Sequence, residues 1–154
     1  MVKADLLSGL PTDEAAHVLA LGKRMLLTSG SELFHLGDAA ESVYVVTRGR
    51  LRLTLPMQVR SRDEDVMVEE RSGGQTVGWS ALIPPYRFTL TATAQLETEV
   101  ITLAREALIE YFAAHPETGY AVSLNLCSVI GQRLQICQAM WLREIQRVVE
   151  LRCA

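Results

Sequence analysis

A chain of 154 residues with 49% hydrophobic and 21% charged residues is typical of one soluble globular domain. Its formal net charge of -3 argues against general nucleic-acid binding, because contact with a phosphate backbone requires a surplus of Lys and Arg on one face. We therefore expect a single domain over residues 1–154 and no direct DNA binding by this chain.

The first 28 residues are predicted to form a helical preface. The stretch 11–14, Pro-Thr-Asp-Glu, is a helix-start cluster with acids in the first turn. Apolar residues then follow at helical spacing, namely Ala16, Leu19, Ala20 and Leu27. The N-terminus has no apolar run long enough for a signal peptide, and no stretch approaches a membrane span. A cytoplasmic location without membrane contact is the expectation.

Residues 29–104 change to short, roughly alternating strands cut by turn residues. Gly30, Gly37-Asp38 and Gly49 are predicted turns. The predicted strands lie at residues 43–46, 51–55, 66–68, 89–94 and 100–103. The polar insert 60–65 is interpreted as a hairpin tip, and Glu69 and Glu70 as solvated strand positions. Many short strands with regular turns indicate a β-sandwich or barrel.

The segment of about residues 74–89 has the features of a phosphate site. Gly74 and Gly78 let the backbone approach a ligand. If residues 79–82, Trp-Ser-Ala-Leu, begin a short helix, their free N–H groups and positive dipole end point at an anion. Arg87 then supplies a forked countercharge that binds phosphate oxygens in pairs.

Helical periodicity returns over residues 105–154. One helix is predicted at 107–115, ended by Pro116, and a second at about 117–151. A helix of about 30 residues extends roughly 45 Å, longer than a domain of this size covers. Its apolar stripe either lies along its own barrel or forms a seam with a second copy, and we favour a homodimer. The seam residues are Ile130, Leu134, Cys137, Trp141, Ile145 and Val148.

Catalytic and metal chemistry are not indicated. The three cysteines form no C-x-x-C pair and are interpreted as reduced thiols. The three histidines, His17, His35 and His115, are scattered, with no H-x-H or H-x-x-x-H pair. Neither a nucleophile elbow nor a Walker loop is present. We expect no enzyme activity, no metal site and no required cofactor.

The order of these features resembles the cyclic nucleotide-binding domain of the CRP/FNR regulators and cyclic-nucleotide-dependent kinases. The residues that carry the resemblance are Gly30, Gly37-Asp38, residues 43–46, Gly49, Gly74-x-x-x-Gly78, the short helix and Arg87. The resemblance implies a mainly β fold with flanking helices. In this fold an antiparallel β-roll of jelly-roll type follows N-terminal helices, and a long C-terminal helix caps a phosphate-binding cassette.

For the ligand site, the resemblance implies a cyclic nucleotide such as cAMP or cGMP. Gly78 would let the ligand approach, Ser80 and Ala81 would offer backbone N–H groups, and Arg87 would bind the phosphate. The remaining members of the implied site are Trp79, Phe88 and Thr89.

Two positions depart from the family's pattern. Trp79 stands where the family has a glutamate that accepts a hydrogen bond from the ribose 2′-hydroxyl, and the interval from Gly78 to Arg87 is about one residue short. Loss of a hydrogen bond to a carboxylate costs about 1.5–3 kcal/mol, or roughly 10- to 100-fold in affinity.

Two functions follow from the resemblance. The first is a stand-alone sensor that signals through its long helix, because the sequence stops at Ala154 without the helix-turn-helix module of the CRP/FNR regulators. The second is a degenerate fold that binds another ligand or serves only in protein–protein interaction or dimerisation. A fragment of a longer protein is a third interpretation of the ending.

Overall fold

In the computed structural model, which describes residues 3–154, two four-stranded antiparallel sheets are flanked by helices. The helices are α1 (Thr12–Ala20), α2 (Arg105–Ala114) and α3 (Pro116–Cys153), with 3₁₀ helices at Asp5–Leu7 and Trp79–Leu82. The strands are β1 (Lys23–Leu27), β2 (Glu32–Phe34), β3 (Ser42–Arg48), β4 (Arg50–Val59), β5 (Arg62–Ser72), β6 (Thr76–Val77), β7 (Thr91–Ala94) and β8 (Thr98–Ala104). The predicted fold class is confirmed.

The core lies between the two sheets, whose strand orders are β1-β8-β3-β6 and β2-β7-β4-β5. Alternate residues of a strand face opposite sides, so one face of each sheet carries the apolar side chains. Val43 and Val45 of β3 and Leu51 and Leu53 of β4 are buried in this way. The strands predicted at 43–46, 51–55 and 100–103 lie within β3, β4 and β8.

The predicted helical preface is too long. Helix α1 ends at Ala20, and Leu27 belongs to β1, which pairs antiparallel with β8. Gly22 explains the change, because a Cβ there would lie 2.5 Å from Ile101 Cγ2 and 2.8 Å from the Thr102 carbonyl oxygen. The chain thus passes against β8 and continues along it, and strand pairing overrides the helical spacing of the apolar residues.

The hairpin between β4 and β5 has a shorter tip than predicted. Only Arg60 and Ser61 form the turn, both at positive φ (50° and 65°), as a two-residue hairpin turn requires. Residues 62–65, predicted as part of the tip, pair with β4. Because a charged residue is tolerated on a solvent-facing strand, the polarity of this segment did not mark the end of the strand.

Helix α3 has 38 residues and is therefore about 57 Å long. Its first half packs on the domain through Thr118, Val122 and Val129, whereas every residue from Leu134 onward is exposed. The predicted pair of helices and the excess length of the second one are confirmed. Within residues 3–154, no helix combines the length and apolar character that crossing a bilayer would require.

Glu14 ties α1 to both C-terminal helices. Its carboxylate accepts hydrogen bonds from the Thr118 hydroxyl at 2.6 Å and the Tyr111 hydroxyl at 2.9 Å. These bonds, that of Thr118 first, lower the pKa of Glu14 below its ordinary value. The stabilisation of the fold by ionised Glu14 is therefore fully present above the pKa that this carboxyl group has in the unfolded chain. It is lost as the pH falls through the lower pKa that the group has in the folded state.

We expect Glu14→Gln to lower the midpoint of urea unfolding at neutral pH, because an amide accepts these hydrogen bonds more weakly than a carboxylate. The difference from the wild type should shrink at acidic pH, where the wild-type carboxylate is protonated. Urea titrations of both proteins at neutral and at acidic pH measure this difference in midpoint. Glu110→Gln on the exposed face of α2 is the control. A loss that does not depend on pH would contradict the assignment.

Gly49 turns the chain between β3 and β4 in a position that excludes a side chain. Its φ is 90°, and a Cβ there would lie 2.5 Å from the Glu97 carbonyl oxygen and 2.6 Å from Thr98 Cα. Gly30 has a similar φ of 85°, but a Cβ there would meet no atom within 4 Å. A substitution at Gly30 would therefore cause backbone strain alone, whereas one at Gly49 would cause backbone strain and a steric clash.

We expect Gly30→Ala to lower the free energy of unfolding by about 1–2 kcal/mol, the cost of a left-handed alanine. Gly49→Ala should cost more, because backbone atoms of the neighbouring strand must also shift. Chemical denaturation of both variants gives the comparison. Equal losses would show that the contact with Glu97 and Thr98 contributes nothing.

Candidate functional site

The site is built around Gly78, which follows β6 and begins the 3₁₀ helix Trp79–Leu82. Gly78 has φ 75° and ψ 25°, a left-handed conformation that favours glycine. A Cβ there would lie 3.0 Å from Tyr44 Cδ2, 3.2 Å from the Ser42 carbonyl oxygen and 3.3 Å from Phe88 Cε1. The predicted short helix after Gly78 is confirmed, and close packing fixes where it begins.

A cavity of about 20 Å³ lies beside this helix. Its walls come from β2, β4, β5, β6, the 3₁₀ helix, the segment before β7, and α3. The lining residues are Phe34, Leu53, Arg71, Thr76, Val77, Gly78, Trp79, Ser80, Phe88, Thr89, Leu90 and Arg133. This volume holds about one water molecule, whereas small-molecule sites usually measure about 300–1,000 Å³. The cavity is closed to a nucleotide in this conformation.

The cavity brings together most of the residues predicted for the ligand site: Gly78, Trp79, Ser80, Phe88 and Thr89 line it. Ala81 is fully buried behind the lining. Its N–H donates to the Gly78 carbonyl oxygen at 3.1 Å, so it is engaged within the short helix.

Arg87 lies outside the lining of the cavity. Its Nη1 donates to the Gly37 carbonyl oxygen at 2.8 Å, and its backbone forms an isolated bridge with Ala39. The guanidinium is exposed at this position. Arg87 is thus oriented toward the turn that precedes β3 rather than toward the short helix.

Aromatic side chains pack beneath the cavity. Phe34 stacks on Phe88, with ring centroids 3.8 Å apart and an interplanar angle of 11°. Tyr44 adjoins Phe34 at 5.8 Å, and burial, the larger cause, raises the pKa of its hydroxyl. These stacked rings give the site a rigid, apolar base.

Sequence reasoning missed three charged residues at the cavity. Arg71 of β5 and Arg133 of α3 line it, and both pair with Glu69 of β5. The Arg133 Nη2 to Glu69 Oε2 distance is 3.1 Å, and the three side chains are only 17%, 11% and 19% exposed for Arg133, Arg71 and Glu69. The guanidinium carbon of Arg133 also lies 5.7 Å from the centroid of the Trp79 ring.

The interpretation of Glu69 as a solvated strand residue was wrong, whereas Glu70 pairs with Arg50 near the surface, at 3.3 Å. Glu69 and Arg71 face Leu53 and Leu51 across the β4–β5 pair. Residues opposite each other in neighbouring strands share a face. Because Leu51 and Leu53 were predicted to alternate inward, correct pairing would have placed both charges on the inner face.

The predicted seam residues lie along the distal part of α3. Ile130 is half-buried, and Leu134, Cys137, Trp141, Ile145 and Val148 are exposed. Cys127, Cys137 and Cys153 all lie on this helix as free, exposed thiols. From Leu134 onward, the stripe is therefore left uncovered by the chain's own domain.

The chain is similar in sequence to proteins of known family. Residues 24–115 match the family model described as the cyclic nucleotide-binding domain. The chain is 24% identical over 135 residues to the cyclic AMP receptor protein of Thermus thermophilus, covering 88% of this chain and 59% of that protein. It is 25% identical over 143 residues to glutaminase 1 of Bradyrhizobium diazoefficiens, covering 90% of this chain and 21% of that protein.

The fold is also that of known structures. The catabolite activator protein of Thermus thermophilus superposes with a TM-score of 0.77 at 23% identity, over 90% of this chain and 62% of that one. The chain spans about three fifths of the receptor protein and about a fifth of the glutaminase, so it corresponds to one part of each. By the family match over more than half of its length, the chain belongs to the cyclic nucleotide-binding domain family.

Proposed function

We propose that this domain is a sensor that binds a cyclic nucleotide, cAMP or cGMP, beside the 3₁₀ helix Trp79–Leu82 and signals through α3. The observation that carries the proposal is the convergence of Gly78, Ser80 and Thr89 with two arginines at one cavity of a family member. Binding, not a reaction carried out by this chain, is the proposed activity.

The ligand's phosphate lies, in this proposal, against the backbone at Gly78 and Ser80. Arg87 joins it by exchanging its hydrogen bond with the Gly37 carbonyl oxygen for bonds to phosphate oxygens. The exchange is favourable, because a guanidinium binds an anion more strongly than a neutral carbonyl. Phe88 and Thr89 complete the contacts on the adjoining segment.

Binding requires the cavity to open. A volume of about 20 Å³ excludes a nucleotide, and in this proposal the lining side chains that move aside are Trp79 and Arg133. A ligand shifts such an equilibrium only as far as it prefers the open form. The cost of opening and the absence of a ribose-binding carboxylate at position 79 both predict weaker binding than the family's glutamate-containing sites.

The small volume of the cavity and the presence of Trp79 in place of a carboxylate favour a second candidate function. A cavity that holds one water and has Trp79 in its lining suits a domain that binds a different ligand or acts only through protein contacts. In this alternative, the exposed apolar stripe of α3 remains the interaction surface and nucleotides do not bind. Titration with cyclic nucleotides separates the two candidates.

We expect calorimetric titration with cAMP and cGMP to give saturable binding, with Arg87→Ala weakening it at least about tenfold, as loss of a charged hydrogen bond implies. Arg52→Ala, at an exposed arginine of β4, should leave affinity unchanged. Flat heats for both nucleotides in the wild-type protein would reject the proposed ligand and favour the second candidate. Equal effects of the two substitutions would reject the role of Arg87.

Signalling in this proposal uses a homodimer formed along α3. The seam residues recur at intervals of three and four, which keeps them on one side of a helix that supercoils with a partner. Trp141 and Leu142 are similarly exposed, at 65% and 61%, yet only Trp141 lies on that side. A helical step of about 100° separates the two side chains.

We expect Trp141→Asp to dissociate the dimer, because it places a charge in the apolar seam, and Leu142→Asp to leave it intact. Sedimentation velocity over a range of protein concentrations measures both. Matched dissociation by the two variants would show that the interface is not the predicted seam. A monomeric wild-type protein would reject the dimer altogether.

A further inference from the structure

Two arginines at the cavity share one carboxylate. Arg71 and Arg133 come from different elements, β5 and α3, and both pair with Glu69. Two positive charges against one negative charge leave this cluster with an excess of positive charge. All three side chains are largely shielded from solvent, so the excess is weakly screened.

We propose that Arg71 and Arg133 are an anion-binding pair for the phosphate group of the ligand, and that Glu69 is an internal anion which holds them until the ligand displaces it. The inference rests on the proposed function for the identity of the ligand. Guanidinium groups match phosphate through paired hydrogen bonds, so both can exchange one anion for another. Ser80 and Thr89, which both carry a hydroxyl group, line the same cavity.

Glu69 is held unevenly by the two arginines, because its Oε1 is in close contact with Arg71 Nη2 while its Oε2 is held less well. Oε2 of Glu69 is buried and lacks a hydrogen-bond partner among the described residues, although Arg133 Nη2 lies 3.1 Å away. The ion pair is therefore close but poorly aligned. A buried acceptor without a hydrogen bond is destabilising. A phosphate can accept aligned bonds from both guanidiniums, while Glu69 returns to water.

Displacement of Glu69 by the phosphate would also change the contacts of α3. Arg133 is the last half-buried residue of that helix before its exposed part, and its guanidinium lies against the Trp79 ring. Displacing Glu69 from Arg133 replaces the carboxylate tie between β5 and α3 with one through the bound phosphate. Competition for one guanidinium thus links occupancy of the cavity to the position of the helix that carries the seam.

The test removes the charge of Glu69 and keeps its shape. We expect Glu69→Gln to bind cAMP or cGMP about tenfold more tightly than the wild-type protein, because the internal competitor is gone. Glu70→Gln, the neighbouring carboxylate that pairs with Arg50, should change affinity less than about twofold. Adding Arg133→Gln to Glu69→Gln should reverse the gain. Calorimetry of the full chain measures all four proteins.

Unchanged affinity in Glu69→Gln would overturn the proposal, as would an equal gain in Glu70→Gln. If no variant binds a nucleotide, the proposed ligand fails, and inorganic phosphate serves as the probe instead. Phosphate should then bind Glu69→Gln more tightly than the wild-type protein, and equal binding would overturn the anion pair. Should Glu69→Gln fail to fold, Arg133→Gln in the wild-type background must weaken binding of the same probe about tenfold.

Discussion

The close packing at Gly78 is the constraint on which the site depends. Its α-carbon lies where any side chain would press on Tyr44, Ser42 and Phe88. The pairing of β6 with β3 brings the chain to that point, and the left-handed turn of Gly78 then directs it into the 3₁₀ helix. The start of this helix is therefore fixed by the sheet, and with it the place of Trp79 at the edge of the cavity.

Electrostatics explains why so small a cavity can have two arginines in its wall. Unpaired guanidiniums shielded from water would repel each other and attract solvent. Glu69 lies between them and neutralises one charge. An ion pair of this kind contributes little net stability, since desolvation offsets the attraction, but removing one partner leaves an uncompensated charge. The cluster therefore contributes little to the stability of the domain, although the loss of any one of its members would be destabilising.

Much of the fold can be predicted from the sequence, because the patterns that mark its turns, strands and helices are local. Gly49 and Gly78 mark turns, Leu51 and Leu53 alternate inward, and Pro116 separates two helices. The errors arise where distant pairing decides. Leu27 joins a strand because β8 is beside it, and Glu69 turns inward because its register with Leu53 is set by the β4–β5 hairpin. Arg133 and Glu69 lie far apart in the sequence and contact each other only through the tertiary fold, so no local pattern could connect them.

Arg133 divides α3 into two parts that differ in burial. Before it, the helix is packed against the domain through Val122 and Val129; after it, all residues are exposed, including nine large apolar side chains. That much apolar surface on a projecting helix supports the homodimer proposed above. The residue at the boundary is also the one that contacts Glu69 and the Trp79 ring. In the proposed exchange, this one side chain would link a change at the cavity to the exposed part of the helix.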